Sequence, residues 1–232
     1  MHQSESAPNK TVVAVVAHPD DEALGCIGTL CKHVKNGDSV YVIYMADGEL
    51  SRNKEAHKKI SGRYNAADEC CKLIGVKDKY FVNLPDNKMD TIPLLDIVQK
   101  IEGIFKTLKP EIIYTHFGND LNIDHRITYQ AVMTACRPLE GSSVERILCF
   151  EVLSSTEWGS TSIGEAFTPN YFVDISNQWS LKLKSLDIYK EEMRDGENSR
   201  TINNVKNLSA FRGNSVGFQY AEAFVLEREI LR

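Results

Sequence analysis

A short run of apolar and β-branched residues, residues 11–17 (TVVAVVA), ends directly in a dense polar cluster, residues 18–22 (HPDDE). An apolar run with no polar alternation is typical of a strand that is covered on both faces, as in the parallel sheets of α/β proteins. The cluster places one imidazole and three carboxylates within five residues. Because buried carboxylates are unfavourable without a positive partner, we expect a divalent metal ion at the end of this strand.

Strand and helix patterns alternate along most of the chain, which predicts an α/β fold. The predicted strands are residues 11–17, 38–45, 79–83, 111–115 and 146–152. The helices that follow the first four are residues 23–35, 54–74, 93–108 and 124–136. Beyond them the pattern weakens, with strands predicted at 171–175 and 223–227 and helices at 178–193 and 201–211. The predicted fold class is a Rossmann-like three-layer sandwich with a mostly parallel sheet.

Length, charge and hydropathy exclude several classes of protein. The 232 residues suit one domain, and we expect a disordered tail at residues 1–10 before a single domain at residues 11–232. The net charge is −5, and the basic residues are not gathered into a stripe, which argues against a nucleic-acid partner. The longest apolar run is too short to cross a bilayer and the polar N-terminus lacks a signal peptide, so we expect a cytoplasmic protein without membrane contact. The six cysteines are expected to be buried and reduced.

A solvated face is expected on the predicted helix 178–193, because charged side chains are frequent there. The charged residues concerned are Lys182, Lys184, Lys190, Glu191 and Glu192.

A second polar loop follows the fourth predicted strand and contains His116, Asp120, Asp124 and His125 within ten residues. With the common strand order 3-2-1-4-5, the first and fourth strands are neighbours, and ligands bind beyond their carboxyl ends. The two polar loops are therefore expected to meet at one edge of the sheet. Two imidazoles and one carboxylate form the ligand set of many catalytic zinc sites, and a spare carboxylate nearby is then a natural general base.

Two alternatives for the first cluster fit less well. Acidic residues also stabilise a helix N-terminus, by about 0.3–1 kcal/mol each, but this explains one acid rather than three with a histidine. A dinucleotide-binding loop needs glycines and bare amides that face phosphate, whereas Gly25 and Gly28 fall inside the predicted helix and residues 20–22 are all acidic.

The two motifs together resemble a known family. Ala-His-Pro-Asp-Asp-Glu after the first strand, with Asp-His-Arg after the fourth, is similar to the LmbE/PIG-L superfamily of zinc-dependent N-acetylglucosamine-type de-N-acetylases. The resemblance implies that His18, Asp21 and His125 bind Zn²⁺ and that Asp20 is the general base. It also implies removal of an acetyl group from a small N-acetylated amino sugar or its conjugate, and assembly as a homo-oligomer. Histidine and carboxylate suit other divalent metals as well, Fe²⁺ included.

The second motif departs from the family pattern. Many members have His-Pro-Asp-His there, whereas this chain has Asn122 at the first position and His125 at the last. Asn122 can donate a hydrogen bond to the oxyanion but cannot shuttle a proton. His116, six residues earlier, is the alternative, and the sequence does not decide between them.

Three further residues are candidates for contact with the substrate. Arg63 resembles a family arginine that holds the substrate's polar or anionic aglycone, and Asp86 is placed like a family carboxylate that binds sugar hydroxyls. A helix-surface arginine and a turn aspartate are equally compatible with these two positions. Trp158 suits either stacking on a sugar ring or a place in a core or interface.

Two other functions remain open at this stage. An amidase of a sugar–thiol conjugate would use the same zinc site and the same motifs. A non-catalytic sugar- or nucleotide-binding module would keep the fold, although such a module needs no base of the kind that Asp20 provides.

Overall fold

Seven parallel and antiparallel strands form one sheet in the computed structural model, which describes residues 9–48 and 56–231, without the side chains of residues 56–61. The strands are β1 (Thr11–Val16), β2 (Ser39–Ala46), β3 (Asp78–Leu84), β4 (Ile112–His116), β5 (Arg146–Phe150), β6 (Tyr171–Asp174) and β7 (Ala221–Glu229). Their order in the sheet is β3-β2-β1-β4-β5-β7-β6. The first five strands run parallel, and β7 pairs antiparallel with both β5 and β6.

Helices cover both faces of this sheet. They are α1 (Asp21–Gly25), α2 (Ile27–Lys35), α3 (Ala56–Ile74), α4 (Leu94–Leu108), α5 (Ile123–Ala135), α6 (Trp179–Ile188) and α7 (Ile202–Asn214). Short 3-10 helices lie at Met89–Thr91 and Thr156–Trp158. One core cluster joins the sheet to α1, α2, α3, α6 and α7, and the other joins it to α4 and α5.

Strand β1 shows why its sequence is apolar throughout. Val12, Ala14 and Val16 belong to one core cluster, whereas Val13 and Val15 belong to the other. All five are fully buried, because alternate side chains of a central strand point into opposite layers. The predicted three-layer fold and the predicted order 3-2-1-4-5 of the parallel strands are confirmed. The sequence did not predict that β7 would lie between β5 and β6.

The predicted helix 23–35 is two helices, because the backbone leaves helical geometry at Cys26, where φ is −145°. Gly25, at the end of α1, lies directly against the ring of Phe150 on β5, and a Cβ atom at Gly25 would be 2.3 Å from that ring. The break lets α1 sit close to the sheet, directly after the polar cluster.

The predicted solvated face of residues 178–193 is wrong at Lys182 and Glu192. Lys182 is 1% exposed, lies 2.6 Å from an oxygen of Glu222 and donates to the carbonyl of Leu24 at 2.8 Å. Glu192 is buried and pairs with Arg63. The observed helix, α6, ends at Ile188, five residues before the predicted end. Lys182 and Glu192 turn inward because each has a partner elsewhere in the chain. The other three charged residues, Lys184, Lys190 and Glu191, are exposed as expected.

The N-terminal prediction falls mostly on residues 1–8, which lie outside the described residues. Lys10 belongs to the folded part of the chain, because its ammonium group lies 2.8 Å from Glu111 and 2.9 Å from Glu145. All six cysteines are buried and free, as expected. Among the described residues, no helix has the length and apolar character that a membrane span requires.

Candidate active site

The polar loops after β1 and β4 meet beyond the carboxyl ends of these neighbouring strands, as predicted. The Oδ1 atom of Asp21 lies 3.4 Å from Nε2 of His125, and its Oδ2 atom lies 3.5 Å from Nδ1 of His18. All three side chains are buried, and their donor atoms lie within 4.8 Å of one another. Neighbouring ligands of a tetrahedral zinc ion with bonds of about 2.0–2.1 Å are separated by roughly 3.3 Å. The three residues therefore fit a single divalent metal ion.

A second group of possible ligands, His18 with Asp86 and Asp124, shares the same histidine. The carboxylate of Asp124 already accepts hydrogen bonds from the backbone amides of Asn87 at 2.7 Å and Met89 at 3.1 Å. Its Oδ2 atom is also 3.1 Å from Nε2 of His18, and Oδ1 of Asp86 is 3.2 Å from the same nitrogen. This group therefore orients His18, with Nε2–H as donor, and leaves Nδ1 free to bind a metal beside Asp21.

His125 is oriented in the same way by a carboxylate. Its Nδ1 atom lies 3.2 Å from Asp120, which in turn accepts hydrogen bonds from the hydroxyls of Ser155 and Thr156. Nε2 of His125 then faces Asp21. Sequence reasoning noted Asp120 and Asp124 as members of the second loop but gave them no role. The available signal was that each candidate histidine ligand needs a hydrogen-bond partner for its other nitrogen.

The electrostatics of the cluster favour a cation. Burial by itself favours neutral forms, yet the carboxylates around His18 raise its pKa well above the usual range. Burial is likewise outweighed at His125, whose pKa is raised to about 9 by Asp21 and Asp120. At Asp21 burial is outweighed by the charge of His125, which lowers the pKa of this carboxyl group well below its usual range. The same negative field would hold a metal ion.

Asp20 lies beside this cluster in a strained backbone conformation, with φ at 122°. It is 3% exposed, and its Oδ2 atom is 2.9 Å from Nη1 of Arg200. Burial raises the pKa of Asp20, and the charges of Arg200 and Arg63 oppose this rise. Arg200 was missed by sequence reasoning, and no local signal connects it with a residue so distant in the chain.

The two candidates for the oxyanion donor occupy different places. Asn122 lines the cleft and caps α5, where its Oδ1 atom accepts a hydrogen bond from the backbone amide of Asp124 at 2.8 Å. The side-chain nitrogen Nδ2 of Asn122 is then the atom that can donate a hydrogen bond. His116 is fully buried and stacked on His125 at 3.9 Å between ring centroids. Its Nε2 atom accepts from the amide of Ala17, and burial together with His125 lowers its pKa to about 4. His116 therefore lies behind the cleft as a neutral ring.

The two predicted substrate contacts both line the cleft but are already engaged by protein groups. Arg63 is 7% exposed, and its guanidinium pairs with Glu192 through Nε at 3.1 Å and through Nη2. Asp86 is 1% exposed and faces His18. Because Nη1 of Arg63 also donates to the carbonyl of Pro19 at 3.5 Å, Arg63 connects the first polar loop to the segment after α6. Asp86 contributes to the surroundings of the metal ligands.

Two adjoining cavities open at this edge of the sheet. The first, about 40 Å³, is lined by the candidate ligands and by Asp20. The second, of about 430 Å³, shares Asn87, Asn122 and Arg200 with the first and is called the chamber below. Trp158 lines the chamber and is 52% exposed, so it is not a core residue.

The fold and the site define a Rossmann-like α/β protein with a candidate mononuclear metal centre at the carboxyl edge of its sheet. Residues 13–136, a little over half of the chain, match the PIG-L family, described as GlcNAc-PI de-N-acetylase. The chain belongs to this family, and the resemblance inferred from the two motifs is confirmed.

Known proteins with high similarity include deacetylases. YaiS of Escherichia coli (strain K12), named an uncharacterized deacetylase, is 28% identical over 193 residues, which cover 81% of this chain and 94% of YaiS. The structure of N,N'-diacetylchitobiose deacetylase from Pyrococcus horikoshii superposes with a TM-score of 0.77 at 21% identity, over 95% of this chain and 85% of that one. GalB, a 4-carboxy-2-hydroxymuconate hydratase from Pseudomonas putida, superposes with a TM-score of 0.76 at 18% identity, over 96% of this chain and 98% of GalB. These structural likenesses establish the fold, which also occurs with a different named reaction.

Proposed function

We propose that this protein is a zinc-dependent deacetylase that hydrolyses the acetamide of an N-acetylated amino sugar or its conjugate. The observation that carries the proposal is the convergence of His18, Asp21 and His125, with the carboxylate of Asp20 beside them. Membership of the PIG-L family and the deacetylase names of its relatives support the reaction class.

A zinc ion held by His18, Asp21 and His125 would supply Lewis acidity to the amide carbonyl and to the attacking water. Asp20 accepts a proton from that water as the new C–O bond forms. The amide nitrogen of Asn122 donates a hydrogen bond to the oxygen that gains negative charge. When the C–N bond breaks, Asp20 is the protonated group in the cleft that returns the proton to the departing nitrogen. The products are acetate and a free amine.

Arg200 acts through Asp20 rather than on the substrate. Its ion pair with Oδ2 of Asp20 fixes the orientation of the base. Nε of Arg200 donates to Oγ of Ser154 at 2.8 Å, so the guanidinium is itself held from a second side. A preorganised base and a preorganised donor are what the hydrolysis of an unreactive amide requires.

The deciding experiment is a panel of substrates for the purified full chain loaded with zinc. Acetate release is measured from free, nucleotide-linked, malate-linked and inositol-linked N-acetylglucosamine, and from an acylated sugar–thiol conjugate. Release from an amino sugar supports the proposal, and cleavage of the thiol conjugate alone would replace it with the amidase. Binding without any release in the presence of zinc would favour the non-catalytic module.

A parallel series with Fe²⁺ under anaerobic conditions addresses the identity of the metal. Cytoplasmic location, homo-oligomer formation, the absence of nucleic-acid binding and the single domain stay predictions from the sequence.

A further inference from the structure

The metal cavity is too small for a sugar. A cavity needs about 10–15 Å³ to hold one water-sized group, so a volume of about 40 Å³ accommodates three or four heavy atoms. The proposed metal ion and the attacking water share this volume, so it leaves room for little more than the reacting carbonyl group. The adjoining chamber, whose volume of about 430 Å³ falls within the range of small-molecule sites, offers room for the rest of the substrate.

The chamber differs from the metal cavity in charge. Arg194 and Arg200 line the chamber, and none of its described lining residues is an aspartate or a glutamate. The metal cavity, in contrast, is lined by three aspartates, Asp20, Asp21 and Asp86, together with Arg63 and Arg200. A substrate that spans the two cavities therefore meets carboxylates at its acetamide end and, among the described lining residues, none at its other end.

The two arginines of the chamber are not equivalent. Arg200 is engaged with Asp20 at 2.9 Å. Arg194 is exposed, and among the residues that the structure describes its guanidinium has no carboxylate within ion-pair distance. The backbone amide of Arg194 donates to the carbonyl of Arg200 at 3.0 Å, which closes the loop between them and holds Arg194 at the rim. Arg194 is thus the positive charge available to a ligand.

Two large apolar side chains also line the chamber. Trp158 is 52% exposed and Leu121 is 54% exposed, and both line the chamber. Trp158 ends a 3-10 helix that is fixed by Thr156, whose hydroxyl donates to Asp120 at 2.6 Å. An aromatic face that is fixed and solvent-accessible suits the C–H face of a sugar ring.

We infer that the chamber binds the part of the substrate beyond the acetamide, and that this part carries an anionic group, a carboxylate or a phosphate, recognised by Arg194. The planar guanidinium matches both groups through paired hydrogen bonds. Trp158 contributes the wall against which the sugar ring rests. This inference rests on the proposed deacetylase function and specifies its substrate class.

The test compares four N-acetylglucosamine probes on the zinc-loaded full chain. Two are anionic, the 1-phosphate and the carboxymethyl glycoside, and two are neutral, the methyl glycoside and diacetylchitobiose. We expect kcat/KM for at least one anionic probe to exceed that for the methyl glycoside about tenfold or more, mainly through KM. Which anionic probe is preferred distinguishes phosphate from carboxylate, and diacetylchitobiose controls for the size of the substituent.

Arg194→Gln is expected to reduce that preference about tenfold. The matched control is Arg137→Gln, because Arg137 is an exposed arginine outside both cavities and is expected to leave the preference unchanged. Trp158→Ala is expected to raise KM for all four probes, and Trp158→Phe to restore most of the loss. An equal preference in the wild type and in Arg194→Gln would overturn the inference while leaving the deacetylase proposal intact.

If no probe releases acetate, the proposed function fails, yet the chamber is still tested. Calorimetric titration of the wild type and of Arg194→Gln with the same four probes measures binding directly. Tighter binding of an anionic probe that is lost in Arg194→Gln supports the inference. Equal binding of charged and neutral probes, or no binding of any, overturns it.

Discussion

Nη1 of Arg200 lies 2.9 Å from Oδ2 of Asp20, although 180 positions separate the two residues in the chain. Asp20 follows β1, whereas Arg200 lies directly before the cap of α7. The segment between α6 and α7 also supplies Tyr189, whose hydroxyl donates to Glu22 at 2.6 Å, and Glu192, which pairs with Arg63. The C-terminal third of the chain therefore holds the first polar loop in place.

Arg200→Gln should lower kcat by about 10–100-fold, because the base loses the group that fixes its orientation. Zinc content should not change, since Arg200 is not a ligand. Arg200→Lys should recover part of the activity, because an ammonium group keeps the charge but loses the second contact to Ser154. The measurements are acetate release and metal analysis on the same preparations. Wild-type kcat in Arg200→Gln would contradict the positioning role.

Asp20→Asn should keep its metal and lose activity by about 10²–10⁴-fold, the usual contribution of a general base. His18→Ala should instead lose zinc, because one of three protein ligands is removed. Asp96→Asn, at an exposed aspartate on α4, is the control for both. Substantial turnover in Asp20→Asn would refute its role as base, and full zinc occupancy in His18→Ala would refute the ligand set.

Asp124→Asn and Asp120→Asn should each weaken zinc binding by about 10–100-fold, although neither residue is a proposed ligand. Each carboxylate accepts a hydrogen bond from the nitrogen of His18 or His125 that does not face Asp21. Competition with a chelator of known affinity measures the change, again with Asp96→Asn as control. Unchanged zinc affinity in both variants would mean that these carboxylates do not orient the histidines.

Lys182→Met should lower the free energy of unfolding by about 3–5 kcal/mol, because it leaves the carboxylate of Glu222 buried without its cation. Combining it with Glu222→Leu should cost less than the sum of the two single changes. Urea unfolding of the three variants gives the comparison. Additive losses would show that the two side chains stabilise the fold independently of each other.

Cys136→Ala should show a stability deficit that shrinks as the pH rises above 9. Burial raises the pKa of the Cys136 thiol to about 12, from an ordinary value of 9.0. Between these values the unfolded chain releases a proton that the folded chain retains, so the wild type loses about 1.4 kcal/mol per pH unit from this group and the variant does not. Urea unfolding of both proteins at pH 8, 9 and 10 measures the difference, and a pH-independent deficit would contradict it.

The sequence by itself determined the parallel part of the sheet, and the resemblance of its two motifs to the family identified the candidate ligands His18, Asp21 and His125. The uniform apolar character of residues 11–17 marks a central strand, and topology then brings the loops after β1 and β4 together.

The tertiary structure determined the contacts between segments that are distant in the chain. The local sequence pattern predicts Lys182 and Glu192 as surface charges. Their partners, Glu222 and Arg63, cannot be identified from that pattern because they belong to distant segments. The same holds for Arg200 beside Asp20 and for the strand β7 between β5 and β6. A charged side chain is buried when a partner and its hydrogen bonds compensate the loss of water, and those partners are set by the packing of distant segments.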